Sequence, residues 1–343
     1  MHRMLPLYPL RFHPVFKRYL WGGRRLGATL GKPIGPGGDF AESWEAADHP
    51  QGQSVVANGN LAGTTLHALV TTRGEELLGR HAPQERFPLL FKYLDCHQDL
   101  SVQVHPDDEA AAKLTPPDYG KTEAWLVLDA APGSRLYAGL RAGFDRFSLE
   151  REVLKGRTEL CLNWFEPSAG QCFFLPAGTL HALGAGLLVA EIQQASDTTY
   201  RLFDWNRVGA DGMPRPLHVE EALNAIDYSM HQAPPQAPLA TEREHVTRLV
   251  SCDKFVMDRW ELTAMQTLGG DERCHLVSVL EGEVLISAAG TSGAGETESA
   301  SATTDEMSLV TLLKGQTALI PACLQPVAVA PRQRAVMLDM YLP

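Results

Sequence analysis

Glycine and proline recur so often in this chain that no helix or strand can run far before it is interrupted. There are 30 glycines and 23 prolines in 343 residues. Glycine loosens the backbone, and proline removes a hydrogen-bond donor and fixes φ. Between these breaks lie short runs rich in branched and aromatic side chains, at 54–57, 100–105, 124–128, 171–175, 187–193, 276–287, 317–320 and 326–330. Such runs, bounded by turn residues, predict strands. Helical patterns are few: 60–79 with Thr64 or Thr65 as N-cap, 148–155 with Ser148 as cap, and 216–227. Three residues beyond Ser148 stands Arg151, so a capping box based on Ser148 is incomplete. The expected class is mainly β with a minor helical part.

At about 150 residues per domain the length predicts two domains, each large enough to bury a core without staples. No apolar run approaches the ~18 residues that span a bilayer. The net charge of −11 argues against a nucleic-acid partner, which needs a basic face. A small phosphorylated substrate needs only a few local cations. Six cysteines show no CxxC spacing, so they read as small buried hydrophobes of a cytoplasmic protein. The first 38 residues hold seven bases and no acid, which resembles a transit peptide. Pro6, Pro9, Pro14 and the pair Gly22-Gly23 break any amphipathic helix there, so folded structure is expected from near the start.

The Pro- and Ala-rich stretch 231–242 reads as a linker. The expected units are therefore 1–230 and 243–343. A Gly/Ser/Thr tract at 288–305 reads as a loop within the second. The two units also share a repeat. GQCFFLPAGTLHAL at 170–183 matches GQTALIPACLQPVA at 315–328, with Pro326 standing where His181 stands. Two related β-barrels are the simplest reading.

Gly170 to His181 also fits G-x5-P-x-G-x2-H, which is similar to the second half of the cupin signature. A strand feeds a Pro-x-Gly turn, and the next strand turns a His inward. Upstream, alternation puts Ser101, Gln103 and His105 on one strand face and Val102 and Val104 on the other. Glu123 follows after a loop. His105, Glu123 and His181 would be three metal ligands, with Gln103 as a candidate fourth. Two imidazoles and a carboxylate with one open position suit zinc, and also Fe(II). His67, His97, His218 and His275 lie outside such patterns and read as ordinary surface or core residues. Asp107-Asp108 reads as a turn capping a helix at 109–114. Trp21, Trp44 and Trp125 could flank a sugar, although core packing is the commoner use of tryptophan.

LSVQVHPDD (100–108), GKTEAWLVLD (120–129), LPAGTLHAL (175–183) and EIQQASDTTYRLFDWNR (191–207) together resemble type I phosphomannose isomerase in its shorter form. PVFKRYLWGG (14–23), ESWEAADH (42–49) and FPLLFKYLD (87–95) agree in the same order. The resemblance covers roughly residues 9–228. It implies a bicupin of two jelly-roll barrels and one Zn2+ per chain, held by His105, Glu123 and His181, with Gln103 contributing in longer members. It also implies an active-site arginine at Arg201 and the interconversion of mannose 6-phosphate and fructose 6-phosphate.

Aldose–ketose isomerisation moves a proton between C1 and C2 through a cis-enediol. The developing enediolate needs stabilising charge from a metal or a fixed arginine, here Arg201. The base candidates are Lys121, metal-bound water, Glu191 and Asp197. Lys121 shares the inward face of Glu123. Ser101, Lys92 and Arg201 are candidates for the phosphate. The second barrel has lost its ligands and is expected to hold no metal and to cover the first. Three alternatives remain at this level: an isomerase of another aldose, a non-catalytic sugar-binding bicupin, and an Fe(II) dioxygenase, which Gln103 disfavours. The expected partner is a small phosphosugar, with no nucleic acid and no membrane, and a monomer or weak dimer as the assembly.

Overall fold

The computed structural model describes residues 5–209, 212–288 and 309–343. From residue 289 onward, the tract expected to form a loop lies outside the described residues. The protein is mainly β, as expected, with four principal sheets. A six-stranded antiparallel sheet runs in the order Cys172–Leu175, Glu123–Ala130, Leu187–Gln194, Leu89–Cys96, Phe40–Ala46, Val15–Gly23. A five-stranded sheet runs Leu162–Phe165, Leu136–Leu140, His181–Leu183, Val102–Val104, Tyr200–Phe203. In the second half an eight-stranded sheet runs Leu239–Ala240, Val246–Ser251, Val256–Leu262, Ala335–Tyr341, His275–Glu281, Thr317–Ile320, and then takes in Leu10–His13 and Val55–Val56 from the start of the chain. A four-stranded sheet runs Gln266–Leu268, Val327–Pro331, Glu283–Ala288, Leu309–Leu313. Each order is linear with two free edges, so the sheets are open and none closes into the barrels expected from the sequence.

Side-chain alternation explains how the sheets stack. Leu187 and Val189 join Leu136, Ala138 and Leu183 in a core between the six- and five-stranded sheets. Leu188, Ala190 and Ile192, on the opposite face, pack with Leu276, Leu319, Leu338 and Met340 of the eight-stranded sheet. The other face of that sheet buries Val277, Val279 and Met337 against Val284, Ile286 and Val329 of the four-stranded sheet. The result is four β layers with three apolar seams. At ~1.5–3 kcal/mol for each fully buried aliphatic side chain, these seams dominate the stability.

The repeat seen in the sequence is a repeat of hydrogen bonds. Gly170 and Gly315 both adopt positive φ, +89° and +80°. The Gly170 N–H donates to Val127 O (2.8 Å) and the Gly315 N–H to Val279 O (2.7 Å). The Gln171 and Gln316 side chains each accept from a backbone N–H three residues back, at 2.9 and 3.0 Å. The six-stranded sheet and the first six strands of the eight-stranded sheet follow the same spatial order.

Several local expectations need correction. The helix expected at 148–155 is Arg146–Leu154, and its cap is Asp145. Ser148 sits at the third helical position and closes the capping box from the other side. The helix within 60–79 is Leu66–Leu78, capped by Thr65 as one of the two candidates, with a break at Arg73. The expected strand 276–287 is two strands in different sheets, parted at Gly282 (φ +78°). The segment 231–242, expected as a linker, is anchored at two points. Its Gln236 N–H donates to Cys172 O (2.7 Å), and Leu239–Ala240 pairs with Val246–Ser251. Among the described residues no helix is long and apolar enough to cross a membrane.

Candidate active site

Three strands of the first sandwich bring the candidate ligands together. Val102 and Val104 are buried in the outer core with Leu180 and Leu202, which turns Ser101, Gln103 and His105 to the inner face. The register sets His181 opposite Gln103 and Glu123 opposite Gln193. Gly178 in the Pro-Ala-Gly turn has φ +85° and its N–H donates to His105 O (3.0 Å), which ties the two histidine segments to each other. Asp107 caps the following helix, which is Asp108–Ala111 and so shorter than the expected 109–114. Asp108 anchors the loop to Glu123 by accepting from the Gly120 N–H (2.9 Å).

His105, Glu123 and His181 are buried, and they form the one cluster among the described residues able to hold an ion with three His, Cys, Asp or Glu ligands. Their ligand atoms all lie within 4.8 Å of one another. His181 Nε2 is 3.3 Å from Glu123 Oε1, and His105 Nε2 is 3.5 Å from Glu123 Oε2. Donors bound to one ion at about 2.0–2.2 Å at tetrahedral angles stand roughly this far apart. The imidazoles are oriented from behind: Nδ1 of His105 donates to Thr198 O (2.9 Å) and Nδ1 of His181 to Thr179 O (2.8 Å). That fixes the tautomer in which both Nε2 atoms are unprotonated acceptors. Glu123 Oε1 is buried and has no hydrogen-bond partner. An orphaned buried carboxylate oxygen facing two imidazole lone pairs is what a cation would satisfy. Gln103 Nε2 lies 3.3 Å from His181 Nε2. The donor set therefore fits a metal.

Burial, then the Lys121 ammonium, holds both imidazoles neutral. His105 falls well below the usual histidine range and His181 drops to about 3. Lys121 Nζ is 2.7 Å from Glu123 Oε2 and 2.9 Å from His105 Nε2. Lys92 was expected as either a solvated lysine or a substrate contact. It is buried, 3.2 Å from Glu191 and 3.7 Å from Glu42. Burial alone would lower its pKa, but Glu191, Glu42 and Asp197 outweigh that and raise it. Burial lifts the carboxyls of Glu191 and Glu42 above the usual range, against the pull of Lys92.

A cavity of about 260 Å³ opens above this centre. Ser101, Gln103, Lys121, Lys92 and Arg201 all line it, as do Glu191 and Asp197. His105, Glu123 and His181 do not line it, but two residues that do touch them: Gln103 lies beside His181 and Lys121 beside His105. Trp21 and Trp125 line the wall, whereas Trp44 packs elsewhere, against Ala47 and Leu90. Arg201 is fixed by a bond from Nη1 to Pro216 O (2.9 Å), and its Nε is buried without a partner. Sequence reasoning missed Tyr19, Glu42, Thr199 and Arg215. Glu42 opens the ESWEAADH segment and could have been weighed. Arg215 sits in an unpatterned loop, held by Asp204, and carries no signal.

Fold and site define a β-sandwich protein with a buried His/Glu/His centre beneath a polar, cation-lined cavity. Residues 9–123 match the model of the catalytic domain of phosphomannose isomerase type I. The chain is 38% identical over 285 residues to mannose-6-phosphate isomerase ManA of Bacillus subtilis, covering 80% of this chain and 86% of that one. It is 34% identical over 275 residues to the mannose-6-phosphate isomerase of Streptococcus mutans, covering 80% and 85%. A crystal structure of the Bacillus subtilis mannose 6-phosphate isomerase superposes with a TM-score of 0.84 at 31% identity, over 97% of this chain and 99% of that one. A phosphomannose isomerase variant from Salmonella typhimurium shares the fold, with a TM-score of 0.74 at 17% identity, over 98% of this chain and 100% of that one. The chain belongs to the type I phosphomannose isomerase family.

Proposed function

We propose that this chain is a zinc-dependent isomerase that interconverts mannose 6-phosphate and fructose 6-phosphate through a cis-enediol. The observation that carries the reading is one cavity lined by Lys121, Lys92, Arg201 and Ser101, whose Lys121 touches Glu123 and His105 of the buried His105/Glu123/His181 cluster. When bound, the ion would supply Lewis-acid stabilisation of charge developing on the sugar oxygens. His105, Glu123 and His181 would hold it, with Gln103 beside His181. Lys121, touching both Glu123 and His105, couples the cavity to that centre.

Arg201 stabilises the enediolate by presenting a fixed guanidinium. Ser101 and Lys92 receive the phosphate end. The proton passes between C1 and C2 by way of Lys121 or Glu191, whose charged atoms lie 3.9 Å apart. We read the two sheet pairs as two cupin-type jelly rolls, drawn mainly from 1–230 and 243–343 and joined by 231–242, with Leu10–His13 and Val55–Val56 of the first stretch added to a sheet of the second and the second bracing the first.

The test is turnover of mannose 6-phosphate in D2O, following deuterium at C1 and C2. Arg201→Ala should retain bound metal and lose most of kcat. Lys121→Met and Glu191→Gln separate the base, because only the true base abolishes exchange while binding persists. Normal turnover by Arg201→Ala would remove its assigned role. A folded, metal-replete chain inactive on mannose 6-phosphate would overturn the substrate.

A further inference from the structure

The second sandwich has a cavity of its own, about 520 Å³, within the range of small-molecule sites. Strand register gives its address. With Gly315 matched to Gly170, Thr317 takes the place of Cys172 and faces Ser278, as Cys172 faces Leu126. His275 then stands where Glu123 stands. Carried outward through the next two strands, the register sets Asp339 at the place of Glu191, Asp258 at that of Lys92 and Trp260 at that of Leu94. Asp339, Asp258, Trp260 and His275 all line the second cavity. It is the first cavity's counterpart, with the chemistry exchanged.

The exchange has a direction. The first cavity is lined by four cations, Lys92, Lys121, Arg201 and Arg215, and by Glu42, Glu191 and Asp197. In the second, the place of Lys92 carries a carboxylate. The cations that remain are engaged. Arg248 is held by Asp258 at 2.9 and 3.0 Å. His275 lies between Asp339 (2.8 Å) and Asp271 (3.1 Å). Arg243 lies over the Trp260 ring and donates to Thr267 O. The second lining sets four carboxylates, Glu242, Asp258, Asp271 and Asp339, against Arg243, Arg248 and His275, whereas the first sets four cations against three carboxylates, so a phosphate is less favoured here than in the first. Carboxylate oxygens retain lone pairs for hydroxyl hydrogens. The Trp260 side chain is buried, and its Nε1–H has no partner.

We propose that this second cavity binds a neutral polyhydroxylated ligand, an unphosphorylated sugar, through Asp258, Asp339 and Asp271, with Trp260 supplying an N–H donor. The site is separate from the His105/Glu123/His181 centre and does not depend on the reaction assigned to it.

The test uses the full chain, loaded with zinc, and follows the Trp260 indole N–H by NMR. Trp260→Phe serves only to assign that resonance. Titration with mannose and with fructose should shift it saturably at millimolar ligand, and the shift should persist in Arg201→Ala. Asp258→Asn should weaken that binding about tenfold or more, the cost of one charged hydrogen bond, while mannose 6-phosphate turnover stays unchanged. Asp271→Asn gives a second reading should Asp258→Asn not fold. No saturable shift with either neutral sugar would overturn the proposal. So would binding unaffected in the folded Asp variants, or a mannose 6-phosphate response at this resonance as strong as that of mannose.

Discussion

Lys92 is the cation on which the inner face of the first sandwich depends, and replacing it with methionine isolates its charge. Methionine keeps the unbranched stem and removes the ammonium. The ammonium stands 3.2 Å from Glu191 and 3.7 Å from Glu42, with all three side chains buried. At an effective dielectric near 20 each pair attracts by about 5 kcal/mol. Desolvation of the three groups offsets much of that, so the net penalty for removing one partner should be about 3–5 kcal/mol.

The penalty must also depend on pH. Burial already raises both carboxyls, and Lys92 opposes that rise. Without Lys92 they rise further. A carboxyl whose folded pKa exceeds its unfolded value stabilises the fold below the unfolded pKa, and that contribution is lost as pH rises through the folded pKa. Lys92→Met should therefore cost little near pH 4.5 and its full amount at pH 8. Urea unfolding of wild type and variant at both pH values, with unchanged m, measures this. A penalty below about 1 kcal/mol at pH 8, or an equal penalty at both pH values, would refute the reasoning.

Three further outcomes are expected. Thr65→Ala, which removes the oxygen that accepts from the Ala68 N–H, should cost about 1 kcal/mol in denaturant unfolding without changing kcat. In the metal-free protein, His181 is neutral down to about pH 3 in the fold, whereas it protonates near 6.5 when unfolded. Stability should fall as pH drops through that window, by ~1.4 kcal/mol per pH unit for this imidazole. The slope should shrink in His181→Asn, and an unchanged slope would count against the assignment. His181→Ala should lose bound metal and turnover together, read by metal analysis and assay on the same sample. Metal retained at full stoichiometry would argue against His181 as a ligand.

The parts of the fold that strict periodicity governs were legible in the sequence. Alternation placed Ser101, Gln103 and His105 on one face, and the glycine-glutamine turn at 170–171 and 315–316 announced a repeat that the hydrogen bonds reproduce. What was missed depends on partners distant in sequence. Ser148 carries a cap residue's chemistry, but Asp145 three residues earlier competes for the same role and wins. Lys92 looks like any strand lysine until Glu42 and Glu191 are brought beside it from neighbouring strands. His275 read as an ordinary histidine. Only the register shows that it occupies the place of Glu123, between Asp339 and Asp271. Closure of the barrels could not be judged from strand count, because it depends on edges that the linear pattern does not specify.

The most direct test of the central claim is mannose 6-phosphate to fructose 6-phosphate turnover by one preparation, before chelation, after chelation, and after zinc is restored. The account predicts activity, its loss, and its return as about one zinc per chain rebinds. Full turnover in a chain shown to be free of metal would contradict the role given to His105, Glu123 and His181.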